Sequence, residues 1–270
     1  MTRGLGPLAM ALGILLLSGC SADAGTPAPS PNAGGPQGGA AQDDARPVLA
    51  PGTTAATGTF VDTGAASGAI TGSVAITVDD EGIFQLVVTD LSVTDGLATQ
   101  FTLTADSLSP DEACLDSDWR FGLGQVDAGH DPAAALVFPI GGSDGIGQGD
   151  LSFIREVVLT RAPTGGTVDK ACPIPIVSHA PLVWNIPDMR PGLDVEDSGA
   201  SAGAMGIVTL DSDDKPIAYT VAQGDTLSAI AQRFGIALDD LFYLNPRRSP
   251  NPEDAQAFTG EVLNLSRGNR

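Results

Sequence analysis

From Phe60 to about Val183 the chain alternates apolar and polar residues in short runs, and Gly, Asp and Pro interrupt each run before a helical repeat develops. Val74, Ile76 and Val78 share one parity; Phe84, Leu86 and Val88 repeat it after the turn Asp79-Asp80-Glu81-Gly82, and Phe101 and Leu103 do so again. Successive side chains of a strand point to opposite faces, so a period of two bounded by turn residues predicts half-buried antiparallel strands. Further strands are expected over 119–126, 134–140, 153–159 and 174–183, with loops rich in Gly, Asp and Pro between them. About seven short strands in about 125 residues predict a mainly β unit, a β-sandwich-like domain over 57–190.

The flanks read differently. Residues 20–56, with Thr26-Pro27-Ala28-Pro29-Ser30-Pro31 and Gly34-Gly35-Pro36-Gln37-Gly38-Gly39, hold few large apolar side chains and cannot bury enough surface to offset ordering entropy. A tether is expected there, with a root-mean-square reach of about 30 Å. A second Gly/Ser/Ala-containing stretch, Val195 to Ala204, predicts a linker over 191–215.

Ahead of the tether, Met1-Thr2-Arg3 leads into the apolar run Leu8–Leu17 and then Ser18-Gly19-Cys20. That is the layout of a secretory signal over 1–19, and a run of about ten apolar residues is half of what crosses a bilayer as a helix. Leu17-Ser18-Gly19-Cys20 resembles the lipobox of bacterial lipoproteins. The resemblance implies cleavage before Cys20, acylation of its thiol, and a lipid anchor on the outer face of the cell membrane from which the chain extends into the wall. Two acyl chains hold a protein stably where one is marginal.

Two cysteines remain, Cys114 and Cys172. In an exported protein a disulfide between them is expected, closing a loop of about sixty residues at about 3–4 kcal/mol of stabilisation; two free thiols or a metal pair are the alternatives. With His130 and His179 the only histidines, no His/Cys cluster has zinc-ligand spacing, and the acidic residues lack EF-hand spacing, so neither metal nor cofactor is expected. The formal charge of −20 argues against nucleic acid, which needs clustered Lys and Arg. The acidity is local: 24 acidic against six basic residues over 48–216, but six against five over 217–270.

The most informative segment is 216–268. Tyr219 and Val221 alternate as a strand, Gly224-Asp225 makes a turn, and Asp225 or Thr226 is placed to cap a helix in which Leu227, Ile230, Ala231 and Phe234 fall on one face. Gly235 suits a left-handed helix stop. Leu238, Leu241 and Phe242 predict a second short helix ending at Asn245-Pro246, and Val262 to Leu265 a closing strand.

This order of strand, helix, helix and strand, with Gly224-Asp225-Thr226-Leu227, Phe234-Gly235-Ile236, Asn245-Pro246 and Gly260-Glu261-Val262-Leu263, resembles the LysM family. The resemblance implies a small α+β module that binds N-acetylglucosamine-containing glycans, peptidoglycan among them, in a groove between the loop after the first strand and the loop after the second helix. Carried over, the first loop supplies Gly224, Asp225, Thr226 and Leu227, and the second Leu244, Asn245, Pro246 and Arg247. The same residues also suit turn and cap roles. Two departures stand out: Ala237 replaces a capping Ser or Thr, a loss of about 1 kcal/mol, and Arg247–Thr259 is longer than the family's second loop.

No catalytic set emerges. Both cysteines are better used in a disulfide, the two histidines are expected in dissimilar Pro-containing loops, and acidic pairs such as Asp79-Asp80 and Asp111-Glu112 read as solvated turns. Residues 58–159 are faintly similar to the DM13 domain, through which no function is carried over. The expectation is a non-catalytic, membrane-anchored lipoprotein that binds peptidoglycan. As the alternative, the β-domain binds an unidentified extracytoplasmic protein or small ligand and the C-terminal module only localises it. A wall hydrolase ranks third.

Overall fold

The computed structural model describes residues 46–61, 70–93, 98–127, 129–141, 146–161, 170–248 and 256–270. Cys20, the signal segment and the tether up to residue 45 lie outside the described residues. The strands are β1 (Thr54–Thr59), β2 (Ile70–Val78), β3 (Phe84–Val93), β4 (Thr99–Thr104), β5 (Arg120–Val126), β6 (Leu136–Gly141), β7 (Glu156–Arg161), β8 (Ile176–Pro181), β9 (Val183–Trp184), β10 (Ile207–Leu210), β11 (Pro216–Thr220) and β12 (Val262–Asn264). Two short helices, α1 (Leu227–Arg233) and α2 (Leu238–Leu244), lie between β11 and β12. The fold is mainly β, as the alternation predicts.

Strands β6-β3-β2-β1-β9 form one sheet and β5-β4-β7-β8 another, with every described pairing antiparallel. Val74, Ile76, Phe84, Leu86 and Val88 from the first sheet and Phe101, Leu103, Val157 and Leu159 from the second belong to one apolar core. Each fully buried side chain of this size contributes about 1.5–3 kcal/mol, so the shared core is the main source of cohesion between the sheets. Strand β7 is buried on both faces. Its Val158 packs away from the main core, against Leu115 and Ile176.

The covering segment is fastened there by Cys114 and Cys172, which form a disulfide across 58 residues of sequence. Backbone hydrogen bonds from Leu115 to Ile174 and from Ile176 to Ala113 continue the attachment. One histidine is placed differently from the expectation. His179 lies within β8, fully buried, with Nδ1 2.9 Å from Glu156 Oε2, while Glu156 Oε1 accepts the Leu108 N–H.

Regular structure reaches into both stretches that flank the expected β-domain. Residues 54–56, expected in the tether, form the first half of β1, an interior strand on which Ala55 and Ala56 are buried. The stretch expected as a linker runs along the C-terminal part and contributes β10, which pairs with β11. The third sheet therefore has the order β10-β11-β12, one strand more than the segment from Tyr219 onward predicts.

The two-sheet part and the C-terminal part meet in a second small core, where Met189, Tyr243 and Leu244 pack with Leu49, Ile186 and Leu193. A buried polar cluster reinforces it. Asp150, only 3% exposed, accepts from the Tyr243 hydroxyl at 2.9 Å and from Arg270 Nη1 at 2.6 Å, while Arg270 Nε donates to the Tyr243 carbonyl at 2.7 Å. The Arg270 guanidinium also stacks on the Tyr243 ring, 3.8 Å from its centroid. Arg46 meets Asp240 of α2 at 3.3 Å, so the chain enters the described body beside the helices.

Replacing both Cys114 and Cys172 by Ser is expected to lower stability by about 2–4 kcal/mol, through release of both the denatured chain and the cover over Val158. Urea unfolding of the variant beside the oxidised wild type measures it.

Candidate functional site

The expected groove falls between the loop after β11 and the stretch that joins α2 to β12, of which residues 249–255 lie outside the described residues. Tyr219 pairs with Leu263 and Thr220 with Val262. Just beyond, Val221 N–H donates to the Glu261 carbonyl and Gly260 N–H to the Val221 carbonyl, each at 2.9 Å. The loop following β11 and the turn preceding β12 are thus held side by side by backbone hydrogen bonds.

The first loop is organised by a buried carboxylate. Asp225, 7% exposed, accepts from the Tyr219 hydroxyl at 2.6 Å, from Ala222 N–H at 2.7 Å and from Met205 N–H at 2.8 Å. Burial pushes its pKa up, but the bonds from Tyr219, Met205, Ala222 and Gly206 outweigh that and hold it below the ordinary carboxylate range. Tyr219 is itself enclosed, with its ring edge-on to Phe234 and its hydroxyl accepting the Gly206 N–H at 2.7 Å; burial and Asp225 push the phenol up to about 12. Gly206 admits no side chain, because a Cβ there would lie 2.1 Å from the Thr220 carbonyl oxygen.

The remaining residues of the loop divide by role. Gly224 adopts φ +86°, a left-handed turn conformation that suits Gly. Thr226 caps α1: its hydroxyl accepts the Ala229 N–H at 3.2 Å, while its own N–H donates to the Gly203 carbonyl. Leu227 is buried in the core of this part. Gly224 and Thr226 are exposed, as is Gln223 beside them. Gly235, at φ +69°, follows the end of α1 as expected.

In the second loop, Asn245 acts as a clasp between α2 and β12. Its Nδ2 donates to the Leu241 and Asn264 carbonyls and its Oδ1 accepts the Asn264 N–H at 2.7 Å. Leu244 is buried, Pro246 half-buried, and the exposed Arg247 donates to the Ala105 carbonyl and to Asp106 of the two-sheet part. Ala237 precedes α2 without a side-chain cap, as the sequence indicates. Arg248 pairs with Glu261 and lies over the ring of Phe258.

Of the eight residues expected to line the groove, Asp225, Leu227, Leu244 and Asn245 are thus engaged in holding the fold, and Arg247 in bridging. Gly224, Thr226 and Pro246 keep surface toward solvent. Phe258, the single aromatic of the stretch 247–259, is 59% exposed in the turn before β12.

Residues 195–206 brace α1 from behind. Glu196 and Ser198 N–H groups donate to the Phe234 and Arg233 carbonyls at the end of the helix. Arg233 forms a two-point ion pair with Asp197, at 2.7 and 2.9 Å, and donates to the Ala204 and Gly206 carbonyls. The Arg233 bond holds the Asp197 carboxyl below its usual range.

Residues 219–264 match the family model described as LysM domain. No curated protein and no solved structure matches the chain. The match ends short of β10 and the 195–206 brace, and of Arg270.

Asp225 has its pKa lowered on folding, so its contribution is present above the unfolded value of about 4 and disappears as pH falls through the folded value. Asp225→Asn is expected to cost about 1–3 kcal/mol at neutral pH, because an amide N–H then faces hydrogen-bond donors. It is also expected to flatten the acid limb of stability. Urea midpoints between pH 7 and pH 3 check both.

Proposed function

We propose that this chain is a non-catalytic, lipid-anchored protein that binds peptidoglycan glycan through residues 219–264. The observation that carries the reading is the side-by-side attachment of the loop after β11 and the turn before β12. It sets the exposed Gly224 and Thr226 on one side and the exposed Phe258 on the other, in a segment matching the LysM domain. The exposed loop backbone beside an aromatic face suits an N-acetylated sugar, whose acetamido group needs hydrogen-bond partners and whose ring needs an apolar contact. In this reading Asp225 and Asn245 position the loops, and Phe258 joins the contact surface.

The N-terminal half of the proposal rests on the signal-like segment and on Leu17-Ser18-Gly19-Cys20, with Cys20 acylated at the outer face of the membrane. The two sheets are read as a β-sandwich presented between lipid and glycan. A second reading, in which that part itself binds a protein or small ligand, draws support from the Asp150 cluster: a buried clasp to the C-terminal part orients the sheets instead of merely trailing them.

Sedimentation with purified peptidoglycan is expected to carry down the wild type. Phe258→Ala, an exposed change of little consequence for folding, should weaken binding about three- to tenfold; a wild type that stays in the supernatant would overturn the reading. Metabolic labelling with a palmitate analogue is expected to mark the wild type in a bacterial host with lipoprotein processing and to leave Cys20→Ala unlabelled.

A further inference from the structure

Only one face of the third sheet serves the core of the C-terminal part. Tyr219 and Leu263 lie directly opposite each other and pack inward with Val208. The residues beside them along each strand therefore face outward. There Ile207 pairs with Thr220 and Thr220 with Val262, which sets the three side chains in one row across β10, β11 and β12. Ile207 and Val262 are 72% and 62% exposed, and Met205, just ahead of β10, is likewise open to solvent. Single apolar residues on a surface are ordinary, but a cluster of them marks a contact site.

The row is the last of the sheet before the proposed groove. Thr220 ends β11, while Val262 opens β12 and Ile207 opens β10. The first loop is bonded on both sides. On one side Val221 exchanges backbone hydrogen bonds with Gly260 and Glu261. On the other, Met205 N–H donates to Asp225 at 2.8 Å and Thr226 N–H to the Gly203 carbonyl at 2.8 Å. Apolar surface thus flanks the loop twice, from Phe258 and Val262 on the β12 side and from Met205 and Ile207 on the β10 side.

Size and charge narrow the occupant. The row and Met205 expose on the order of 200 Å², well short of the about 1,000 Å² that a specific protein interface takes, so a narrow chain fits and a protein does not. No charged residue stands in the row, in a chain of formal charge −20. Neighbouring strands are about 4.8 Å apart, so Ile207 and Val262 stand about 10 Å from each other. A β-1,4-linked chain of N-acetylated sugars is narrow and uncharged along its backbone. Its successive rings are turned over, so each edge presents an acetamido methyl once per disaccharide, a repeat of the same length as that separation.

We propose that the row Ile207, Thr220 and Val262 is a second glycan-contact strip that carries the proposed groove across β11 by one disaccharide. One acetamido methyl rests on Val262 and the next on Ile207, with the Thr220 hydroxyl between them for the intervening sugar. The strip rests on the glycan reading above. Ile207 and Met205 precede the matched segment 219–264, so this strip is an addition to the module made by the chain ahead of it.

The test is calorimetric titration of the full chain with tri-N-acetylchitotriose and hexa-N-acetylchitohexaose. A longer chain offers any short site more registers, a gain of about fourfold here, and the wild type is expected to exceed it, binding the hexaose at least about tenfold more tightly than the triose. The double variant Ile207→Thr, Val262→Thr keeps β-branched residues in both strands. It should bind the triose as the wild type does, with the preference for the hexaose reduced to about fourfold or less. A wild type that shows only the statistical gain, or a variant that keeps the full preference, overturns the proposal. So does an equal loss for both sugars, because the row would then shape the groove and not touch the chain. A wild type that binds neither sugar defeats the glycan reading itself, whereas triose binding without the extra gain defeats the strip alone.

Discussion

The C-terminal part depends on one carboxylate. Asp225 is enclosed, and an enclosed carboxylate is tolerated only when hydrogen-bond donors replace the water it has lost. Here the donors come from three directions: Tyr219 in β11, Ala222 in the loop, and Met205 ahead of β10. One group therefore fixes the shape of the first loop, the placement of the buried phenol and the approach of the chain into β10. Gly206, squeezed against Thr220 and Tyr219, is a consequence of that arrangement.

This division of labour alters what the Gly224-Asp225-Thr226-Leu227 stretch means chemically. Its most polar member faces inward and its apolar member is core, while the exposed surface is left to the turn Gly and the capping Thr. In the proposed site, specificity then rests on backbone groups held in fixed positions and on neighbouring surface residues such as Phe258. Rigid presentation of main-chain donors and acceptors lowers the ordering cost of binding, so the buried carboxylate would serve affinity without touching the ligand.

The strands that alternate cleanly were legible in the sequence because their parity maps directly onto burial: Val74, Ile76 and Val78 inward, with their neighbours outward. Strand β1 was not, because its buried residues are Ala55 and Ala56, which carry little hydrophobic signal although they sit in the interior of a sheet. Strand β10 failed for the opposite reason. Its Ile207 points to solvent and its Val208 is only half-buried, so no parity marks a core face. The docking of the two parts had no sequence signature at all. Asp150, Tyr243 and Arg270 are isolated residues far apart in the chain, and only the fold makes them neighbours.

The place where the chain enters the described body carries a mechanical consequence. Arg46 is paired with Asp240, and Leu49 packs beside Tyr243 and Leu244, so both ends of α2's surroundings are tied to the incoming segment. In the proposed arrangement, tension between an anchored N-terminal end and wall-held glycan would be received next to α2 and passed on through it and the Asn245 clasp toward the loops. The same segment runs on into β1, an interior strand, so the first sheet would share that load as shear between β1 and its neighbours β2 and β9.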